Sequence, residues 1–542
     1  MAFNAIKEAM YSKTFTATPK GIDANIIGVE IDASQGIPGF NIVGLADKSI
    51  NEARERITVA MRASGFEILP TRILVNLSPA HIKKEGVQLD LAIATALMVN
   101  FGYIDIKPEF LKGFCFLGEL SLTGEVKKIS GVLPLALEAQ SQGFKYLIIP
   151  KANVDETRLI TLTGKQDCQI FHVSKLEELR QLLEALHNSG KEPQVAGKSA
   201  LPNIIKEHLV SKFDKTRISS IKKLEEPKLD FEDVIGQIHA KRGLEIAAAG
   251  GHHLLMIGPP GCGKSMLSRR FKSILPSLSF AEALESTKIY SVSNNLNQGM
   301  VSEPPFRAPH HSASAVSLIG GSANSKPGEV SLAHNGVLFL DELTEFNQHT
   351  IENLRQILEE GTITVTRIKQ SYKYPAKFTL IAACNPCPCG YLGDSEENCY
   401  CQPQQISRYL SKLSGPLLDR VDIHLELARL NPEEIKLITQ SQYKREKVST
   451  LVRTGSSIEI KKRVLKAREF ALELSPGLVL TQEAEEFMEH AVFNLKLSAR
   501  SHQKILKVSR TIANLAESDK IDAEHLAEAL QFRNINWEKY GR

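Results

Sequence analysis

The sequence predicts a multidomain α/β protein, with an α+β domain at the N-terminus, an α/β core and a helical C-terminal region. Three observations lead to this prediction. An apolar strand beginning at His253 runs into a glycine-rich loop and then a helix. Strands and helices alternate through residues 229–430, as in a parallel sheet, and strand patterns disappear beyond them. A chain of 542 residues, at roughly 100 to 200 residues per domain, has room for this arrangement.

Composition and charge exclude several classes of protein. With 42% hydrophobic and 24% charged residues, the chain is neither disordered nor fibrous. A formal net charge of +4 is too small at this length to indicate nucleic-acid binding, so any basic surface must be local. The sequence has no apolar run approaching the ~20 residues of a membrane span, and its N-terminus lacks the pattern of a secretory signal. We therefore expect a cytoplasmic protein without membrane contact.

Changes of composition along the chain predict four regions. Residues 1–186 alternate short apolar strands with helical patterns and form the α+β domain. Residues 187–228 are polar and rich in lysine, which predicts a basic linker, and a solvated connector explains its charges without any partner. Residues 229–430 form the α/β core. Residues 431–542 have mostly helical patterns and form a C-terminal helical domain.

The strongest motif in the chain follows the apolar strand that begins at His253. Its glycines allow backbone N–H groups to curl around phosphates, and the next helix N-terminus adds a favourable dipole. Lys264 would reach the β and γ phosphates of a nucleotide, and the Ser265 hydroxyl would bind Mg²⁺. A chance glycine turn is the alternative, which the strand-to-helix context disfavours. The predicted nucleotide-binding loop comprises Gly258, Pro259, Pro260, Gly261, Cys262, Gly263, Lys264 and Ser265.

Polar residues follow two further apolar strands. Asp341 and Glu342 end the strand at residues 337–340. Asp341 would hold Mg²⁺ through its water shell, while Glu342 would orient and deprotonate the attacking water. Asn385 follows the strand at residues 378–383, and its amide can hold that water or sense the γ phosphate without a competing charge. Two acids that end a strand often form a solvated turn, but a nearby phosphate loop favours the catalytic interpretation.

Two further segments complete a resemblance to a known class of ATPase. Ser414–Asp422 and Leu497–Arg500 follow these motifs in the order Walker A, Walker B, sensor 1, arginine finger and sensor 2, which resembles an AAA+ ATPase. Residues 306–315 and 327–336 are more narrowly similar to the ComM/YifB family of magnesium-chelatase-like AAA+ ATPases, which resemble competence-related DNA helicases. The likeness covers nearly the whole chain, and its APHH and NPCPCG stretches make it specific.

The resemblance implies ATP and Mg²⁺ as cofactors, an insert in the second helix of the core, and a homo-hexameric ring. It also implies that Arg420 is an arginine finger in a neighbouring subunit's site, that Arg500 is sensor 2, and that residues 431–542 are the lid. The alternatives are an ion pair of Arg420 with Asp419 or Asp422 inside the domain, and an ordinary helix-surface position for Arg500.

The N-terminal region resembles a Lon-protease-like fold over residues 21–150. A Lon-type protease needs a serine nucleophile and a lysine base. The resemblance places Gln88 at the serine position and Leu135 at the lysine position. Neither side chain can perform that chemistry, so we expect a proteolytically inactive scaffold. A nearby polar cluster is interpreted either as a partner surface or as a solvated loop; it consists of Lys84, Glu85 and Asp90.

One loop of the core holds enough cysteines to bind a tetrahedral zinc ion. The two pairs have C-x-C spacing, which is less typical of zinc sites than C-x-x-C. A reduced loop without metal and a redox role are the alternatives. The candidate zinc ligands are Cys387, Cys389, Cys399 and Cys401.

The segment at residues 362–375 alternates like a β-hairpin and carries positive charges. It lies just before the strand that carries sensor 1, where related DNA motors project a hairpin into the channel of the ring, so the resemblance implies a DNA contact there. Tyr372 or Tyr374 would be available to stack on a base. An edge hairpin kept soluble by lysines is the alternative. The predicted DNA-binding residues are Arg367, Lys369 and Lys373.

A basic tract at residues 436–469 is interpreted either as a second nucleic-acid contact or as a solvated helix. His310 and His311 either reach the channel or are satisfied loop histidines. As the resemblance implies, we expect an ATP-driven DNA motor that unwinds or branch-migrates recombination intermediates in natural transformation, on single-stranded or branched DNA. A magnesium-chelatase-type motor subunit and a regulatory ATPase acting on a protein partner are the alternatives.

Overall fold

The computed structural model describes most of the chain, and its described residues fall into two compact units. The N-terminal unit extends to residue 221 and includes residues 284–301, and the C-terminal unit contains the rest. The described ranges are 11–45, 48–84, 86–162, 168–189, 202–211, 229–234, 236–296, 299–321, 326–367, 370–394, 396–429, 455–474 and 479–533.

The N-terminal unit begins with a mixed sheet whose strand order is β1-β2-β4-β3. β1, β2 and β4 pair antiparallel, whereas β3 runs parallel to β4. Helix α2 is buried on all sides from Asp90 to Val99, as its nearly continuous apolar sequence requires. The elements are β1 Ser12–Lys20, β2 Asp23–Ser34, β3 Gly39–Val43, α1 Lys48–Ala63, β4 Arg72–Ser78 and α2 Asp90–Asn100.

A second sheet of the same unit is parallel, with strand order β5-β8-β9. The short helix α6 falls in the segment predicted as a linker. Its Ile205 is buried, and the Val210 N–H donates to the Ile170 carbonyl at 2.8 Å, so part of that segment packs on the unit. The elements are β5 Phe114–Phe116, β6 Glu119–Leu120, β7 Val126–Lys127, α3 Val132–Ser141, β8 Tyr146–Pro150, α4 Val154–Thr157, β9 Gln169–Val173, α5 Leu176–Asn188 and α6 Asn203–His208.

The polar cluster predicted beside Gln88 is buried, so neither the partner surface nor the solvated loop is correct for its described members. Lys84 donates from Nζ to the Pro79 carbonyl, and burial lowers the pKa of its ammonium. Asp90 accepts from Arg56 at 2.9 and 3.0 Å, and burial raises the pKa of its carboxyl to about 6. These residues stabilise the interior of the unit. Glu85 lies outside the described residues.

The C-terminal unit is built on a parallel sheet with strand order β11-β12-β15-β10-β16. Its central strands are buried and apolar, as expected for a sheet covered on both faces. A separate antiparallel hairpin, β13 and β14, confirms the predicted hairpin. The strands are β10 Leu254–Ile257, β11 Phe306–Arg307, β12 Val337–Leu340, β13 Thr362–Arg367, β14 Gln370–Pro375, β15 Thr379–Cys384 and β16 Ile423–Glu426.

Helices of the described C-terminal tail share one apolar core with this sheet. Val464, Ile505 and Leu526 from the tail belong to the same buried cluster as Leu254 and Ile423 of the sheet. The helices from residue 238 onward are α7 Ile238–Gly250, α8 Lys264–Ile274, α9 Phe280–Ser293, α10 Ala315–Ile319, α11 Glu329–Leu332, α12 Gln348–Glu360, α13 Pro403–Leu410, α14 Gly415–Leu418, α15 Ser457–Glu473, α16 Gln482–Leu495, α17 Ala499–Leu515 and α18 Ala523–Gln531. Residues of α9 from 284 onward belong to the N-terminal unit.

The predicted mixed α/β multidomain class is thus confirmed. Across the part of the chain that the structure describes, no helix has both the length and the apolar character needed to cross a bilayer.

Candidate nucleotide site

Three parallel strands bring the predicted phosphate loop, the acidic pair and Asn385 to one edge of the sheet. β10, β12 and β15 run in register, with Ile257 opposite Cys384 and Leu340 opposite Ala382. The phosphate loop, the acidic pair and Asn385 each follow the carboxyl end of one of these strands. We call this the carboxyl edge, and the opposite side, where the strands begin, the amino edge.

The phosphate loop has the backbone conformations that its glycines predict. Gly261 and Gly263 have φ angles of +80° and +97°, which favour glycine. A Cβ atom at Gly258 would lie 2.5 Å from the Leu427 carbonyl oxygen, so this position also tolerates only glycine. Helix α8 begins at Lys264, immediately after the loop, and its N-terminus therefore faces the concave side where phosphates would bind.

The Lys264 ammonium is buried and lies over the phosphate loop. Its Nζ donates to the carbonyl oxygens of Gly258 at 2.5 Å and Pro259 at 2.9 Å, and to Asn385 Oδ1 at 3.1 Å. These acceptors are neutral, so they leave the positive charge of the ammonium uncompensated and available to pair with a phosphate. The contact also joins the loop after β10 to the amide after β15.

Oxygen atoms suited to a magnesium ion lie side by side at this edge. Ser265 Oγ donates to Asp341 Oδ2 at 2.5 Å. A hydroxyl and a carboxylate are the hard donors that Mg²⁺ prefers, and the ion commonly keeps several waters besides them. The residues present therefore fit the ion that the family implies.

Glu342 is half-exposed and points away from the interior. Its backbone is left-handed, with φ +51°, and its N–H donates to Asp341 Oδ1 at 3.0 Å. Its Oε2 lies 3.0 Å from His311 Nδ1. From the sequence, His311 was interpreted either as a residue that reaches the channel or as a loop histidine with satisfied hydrogen bonds. The structure shows a third arrangement, in which the APHH stretch supplies a partner for the predicted catalytic carboxylate.

Arg420 and Arg500 lie together at the amino edge, away from Lys264 of the same chain. Arg420 lies two residues before Asp422, just ahead of the start of β16. The Asp422 N–H donates to the carbonyl of His253, the residue before β10, so this segment lies where the strands begin. A cavity of about 350 Å³ there is lined by both arginines together with His253. β10 alone separates the two edges by about 13 Å at 3.3 Å per residue.

The Arg420 guanidinium is buried and makes contacts within its own chain. It forms an ion pair with Glu359 of α12 and donates from Nη1 to the Pro416 carbonyl at 2.5 Å. From the sequence, Asp419 or Asp422 was the alternative ion-pair partner of Arg420 inside the domain, but in the structure the partner is Glu359. Glu359 is 61 residues distant, and no local pattern identified it.

Asp422 belongs to a buried ionic cluster that attaches helix α17 to the amino edge. Its Oδ1 binds Lys504 Nζ, and its Oδ2 lies 3.4 Å from His252 Nδ1. Burial alone would raise the pKa of the Asp422 carboxyl, but His252 and Lys504 outweigh it and hold that pKa far below its usual range. Arg500, one turn before Lys504 on α17, is exposed.

The hairpin separates its residues onto two faces. Tyr372 and Tyr374 are buried, at 7% and 1% exposure, so the prediction that one of them is available to stack on a base is wrong. Lys373 lies between them on the opposite face and is exposed, across from Thr364. Arg367 closes the register opposite Gln370, and its side chain, like all of Lys369, lies outside the described residues.

The described part of the basic tract has structural partners. Arg463 pairs with Glu245 at 2.5 Å, and Arg468 donates to the Ala248 carbonyl at 2.6 Å. These two arginines of α15 therefore attach the helix to α7. Residues 436–454 of the tract lie outside the described residues. The four cysteines of the core loop, in contrast, are brought together within 4.8 Å.

Comparison with family models matches three parts of the chain. Residues 230–435 match "Magnesium chelatase, subunit ChlI", residues 29–153 match "Subunit ChlI of Mg-chelatase", and residues 454–533 match "Magnesium chelatase, subunit ChlI C-terminal".

Similar proteins extend this likeness over the whole chain. Competence protein ComM of Haemophilus influenzae is 38% identical over 536 residues, which is 96% of each chain. YifB of Escherichia coli (strain K12) is 39% identical over the same share. The maternal DNA replication licensing factor mcm6 of Xenopus tropicalis is 24% identical over 224 residues, 38% of this chain and 25% of that protein.

Proposed function

This chain belongs to the ComM/YifB family of magnesium-chelatase-like AAA+ proteins, and from that premise we propose that it is an ATP-driven, ring-forming DNA motor. Its work is helicase action or branch migration on recombination intermediates in natural transformation. One observation carries the ring-forming ATPase: the nucleotide-binding residues meet at the carboxyl edge, while Arg420, the candidate arginine finger, and Arg500, the candidate sensor 2, meet at the amino edge.

Each residue at the carboxyl edge has a proposed role in hydrolysis. Lys264 exchanges its carbonyl acceptors for the β and γ phosphates of ATP, and the phosphate loop supplies backbone N–H donors. Ser265 and Asp341 hold Mg²⁺, which supplies positive charge against the phosphates. Glu342 accepts the proton of the attacking water, and Asn385 orients that water near the γ phosphate.

The amino edge supports a ring. Arg420 and Arg500 lie far from the phosphate loop of their own chain, so they complete a nucleotide site only in a neighbouring subunit. Such a contact is head-to-tail, and repetition of a head-to-tail contact closes a ring, for which the family makes a hexamer the expected size. In this assembly, Arg420 leaves Glu359 to stabilise charge at the neighbour's γ phosphate.

DNA is the proposed track of the motor. Lys373 is exposed on the hairpin, in the arrangement expected of a side chain that contacts phosphate, and we assign Arg367 and Lys369 the same role. The names of two relatives, a competence protein and a DNA replication licensing factor, support DNA as the substrate.

We assign the remaining regions by the boundaries predicted from the sequence. Residues 1–186 are a Lon-like scaffold without protease activity, supported by the buried Gln88 and Leu135. Residues 187–228 are the linker, of which α6 packs on the N-terminal unit. Residues 229–430 are the AAA+ core, and residues 431–542 are the lid.

A second candidate is a magnesium-chelatase-type motor that acts on a protein partner, because all three matching family models are named for that enzyme. The two candidates share ATP hydrolysis and ring formation. They differ in whether DNA stimulates hydrolysis.

ATP hydrolysis and strand displacement on branched and single-stranded DNA test the proposal. Wild-type protein is compared with Glu342→Gln, which keeps the shape of the side chain but removes the base. We expect DNA to stimulate wild-type hydrolysis, and the variant to lose roughly 10²- to 10⁴-fold in kcat while it still binds ATP.

Glu345→Gln is the matched control, because Glu345 is an exposed acid one turn further along. It should retain activity. ATP hydrolysis that DNA does not stimulate, with no strand displacement, would contradict the DNA-motor proposal and favour the chelatase-type candidate. Full hydrolysis by Glu342→Gln would contradict the catalytic role assigned to Glu342.

A further inference from the structure

Four cysteine sulfurs between β15 and α13 have the spacing of a tetrahedral metal site. Cys387 Sγ lies 3.3 Å from Cys389 Sγ and 3.6 Å from Cys399 Sγ, and the last two lie 3.6 Å apart. With Cys401, all four fall within 4.8 Å. A tetrahedral ion bound to sulfur at about 2.3 Å has sulfur–sulfur edges of about 3.8 Å. The separations match such an ion and are too long for disulfide bonds, which need about 2.05 Å.

The donor set selects the class of metal. Four sulfur ligands in tetrahedral geometry favour zinc or iron over the hard cations that prefer oxygen. Four protein ligands also fill every position of a tetrahedral zinc ion, which is the pattern of structural rather than catalytic zinc sites. Cys387 is fully buried and the other three are half-buried, so the site closes against the unit.

The loop that carries these cysteines has little else to order it. Among its described residues 386–402, only Pro386, Cys387 and Gly390 are buried, so it has no apolar core of its own. Its side chains are attached mainly by Arg429, which binds Asp394 at 3.0 Å. The Asp394 side chain is buried and that of Arg429 is partly exposed, and the desolvation of a buried carboxylate offsets much of the attraction in such a pair. A bound metal, in contrast, contributes its binding free energy directly to folding.

This loop also contacts the nucleotide site. Asn385, which accepts from Lys264, lies two residues before Cys387. Gly390 has φ +87°, and a Cβ atom there would lie 2.7 Å from Pro260 Cδ of the phosphate loop. The cysteine loop and the phosphate loop therefore pack against each other. A change in the conformation of one loop would displace the other.

We propose that Cys387, Cys389, Cys399 and Cys401 bind one Zn²⁺ as a closed structural site, and that this ion fixes the loop supporting Pro260 and Asn385. The metal site does not depend on the proposed motor function, whereas its effect on nucleotide binding rests on that function.

Elemental analysis of the purified full-length protein tests the metal. We expect one equivalent of zinc per chain, lost in Cys399→Ser and retained in Cys168→Ser, whose half-buried cysteine belongs to the N-terminal unit. Because a ligand variant can fail to fold, a second measurement uses wild type. Replacement of zinc by Co²⁺ should give the intense visible absorption of a tetrahedral tetrathiolate. Absence of metal with four freely titrating thiols, disulfides among the four, or zinc retained by Cys399→Ser would each overturn the site.

Binding of a fluorescent ATP analogue tests the coupling. Chelation of zinc from wild type should weaken binding of the analogue, and re-addition of zinc should restore it. Chelation should weaken binding of the analogue to Cys168→Ser by the same factor as in wild type. Zinc present but without influence on nucleotide affinity would overturn the coupling and leave the motor proposal intact. A protein that binds zinc but never binds ATP would instead overturn the proposed function.

Discussion

The two edges of the parallel sheet in the C-terminal unit differ in chemistry. At the carboxyl edge, Lys264 is held by neutral acceptors, and a hydroxyl lies against the carboxylate of Asp341. At the amino edge, Arg420 and Lys504 are tied to carboxylates of their own chain. The carboxyl edge is arranged to receive an anion with a metal ion, and the amino edge offers cations that are already paired.

This difference implies that each chain carries two halves of different sites. Among the described residues, the cation that lies over the phosphate loop at the carboxyl edge is Lys264. The amino edge has two arginines but no phosphate loop. In the ring that we propose, the amino edge of one subunit would meet the carboxyl edge of the next and complete both sites. Experiments on the two edges and on the hairpin test these roles, beginning with the largest expected effect.

Arg420→Ala should leave ATP binding intact and lower the hydrolysis rate of the assembled protein by about 10³- to 10⁵-fold, because the transition-state charge in the neighbouring site loses its partner. Steady-state hydrolysis and a nucleotide-binding assay measure the two effects. Glu359→Gln is the matched control, since it removes the same intrachain ion pair but keeps the arginine. Equal losses in both variants would show that Arg420 acts only within its own chain.

Mixing two inactive variants sharpens the same comparison. Lys264→Ala inactivates the carboxyl edge and retains Arg420. Arg420→Ala inactivates the amino edge and retains Lys264. In a mixed ring, some interfaces join the two intact edges, so hydrolysis should recover in part when the variants are combined at fixed total concentration. A mixture as inactive as its components would contradict the assignment of the two edges to a shared site.

Asp422→Asn should destabilise the amino edge without touching the carboxyl edge. Removing one partner of a buried ion pair leaves Lys504 uncompensated and costs about 3 kcal/mol of unfolding free energy. Urea unfolding measures the change, and Asp419→Asn, a partly exposed acid nearby, should stay within about 0.5 kcal/mol of wild type.

The destabilisation caused by Asp422→Asn should also depend on pH, with a definite sign. Because the pKa of Asp422 is lowered on folding, its contribution is fully present above the unfolded value of 3.8 and is lost as pH falls below it. The difference between wild type and Asp422→Asn should therefore be constant near neutral pH and shrink in acid. A difference that grows in acid would contradict the ionic role.

Lys373→Ala should have the smallest effect, on DNA binding alone. Loss of one phosphate contact per bound hairpin should weaken affinity and reduce the salt dependence of binding by about one unit of slope. Thr364→Ala, its exposed cross-strand neighbour, leaves the charge and should leave that slope unchanged. An unchanged slope in Lys373→Ala would leave the hairpin with a purely structural role.

Much of the carboxyl edge was predictable because its chemistry is local. The phosphate loop is one continuous segment between a strand and a helix, so glycine spacing alone indicates its conformation. Asp341 and Asn385 each end an apolar strand, and parallel strands place such residues at one edge. The contact between Lys264 and Asn385, 121 residues apart, needed no further information than this rule.

The amino edge was less predictable because its partners are distant in sequence. Glu359 pairs with Arg420 through the packing of α12 against α14, which no pattern in either segment encodes. The contact of His311 with Glu342, at the carboxyl edge, was not predicted either, because it also depends on how distant segments pack. The burial of Lys84 and Asp90 escaped prediction because charged residues are almost always exposed unless they are paired. Asp90 is paired with Arg56, which is 34 residues distant, and Lys84 donates to the Pro79 carbonyl.

By itself, the sequence determined the order of the motifs, the strand that precedes each one and the residues that share a face. Alternation with a period of two places Tyr372 and Tyr374 on one face of the hairpin and Lys373 on the other. Only the tertiary structure decided that the tyrosines are the covered face, and that Arg420 and Arg500 lie at the edge opposite Lys264. The physical reason is that periodicity fixes relative orientation along a segment, whereas burial depends on which distant segment packs against it.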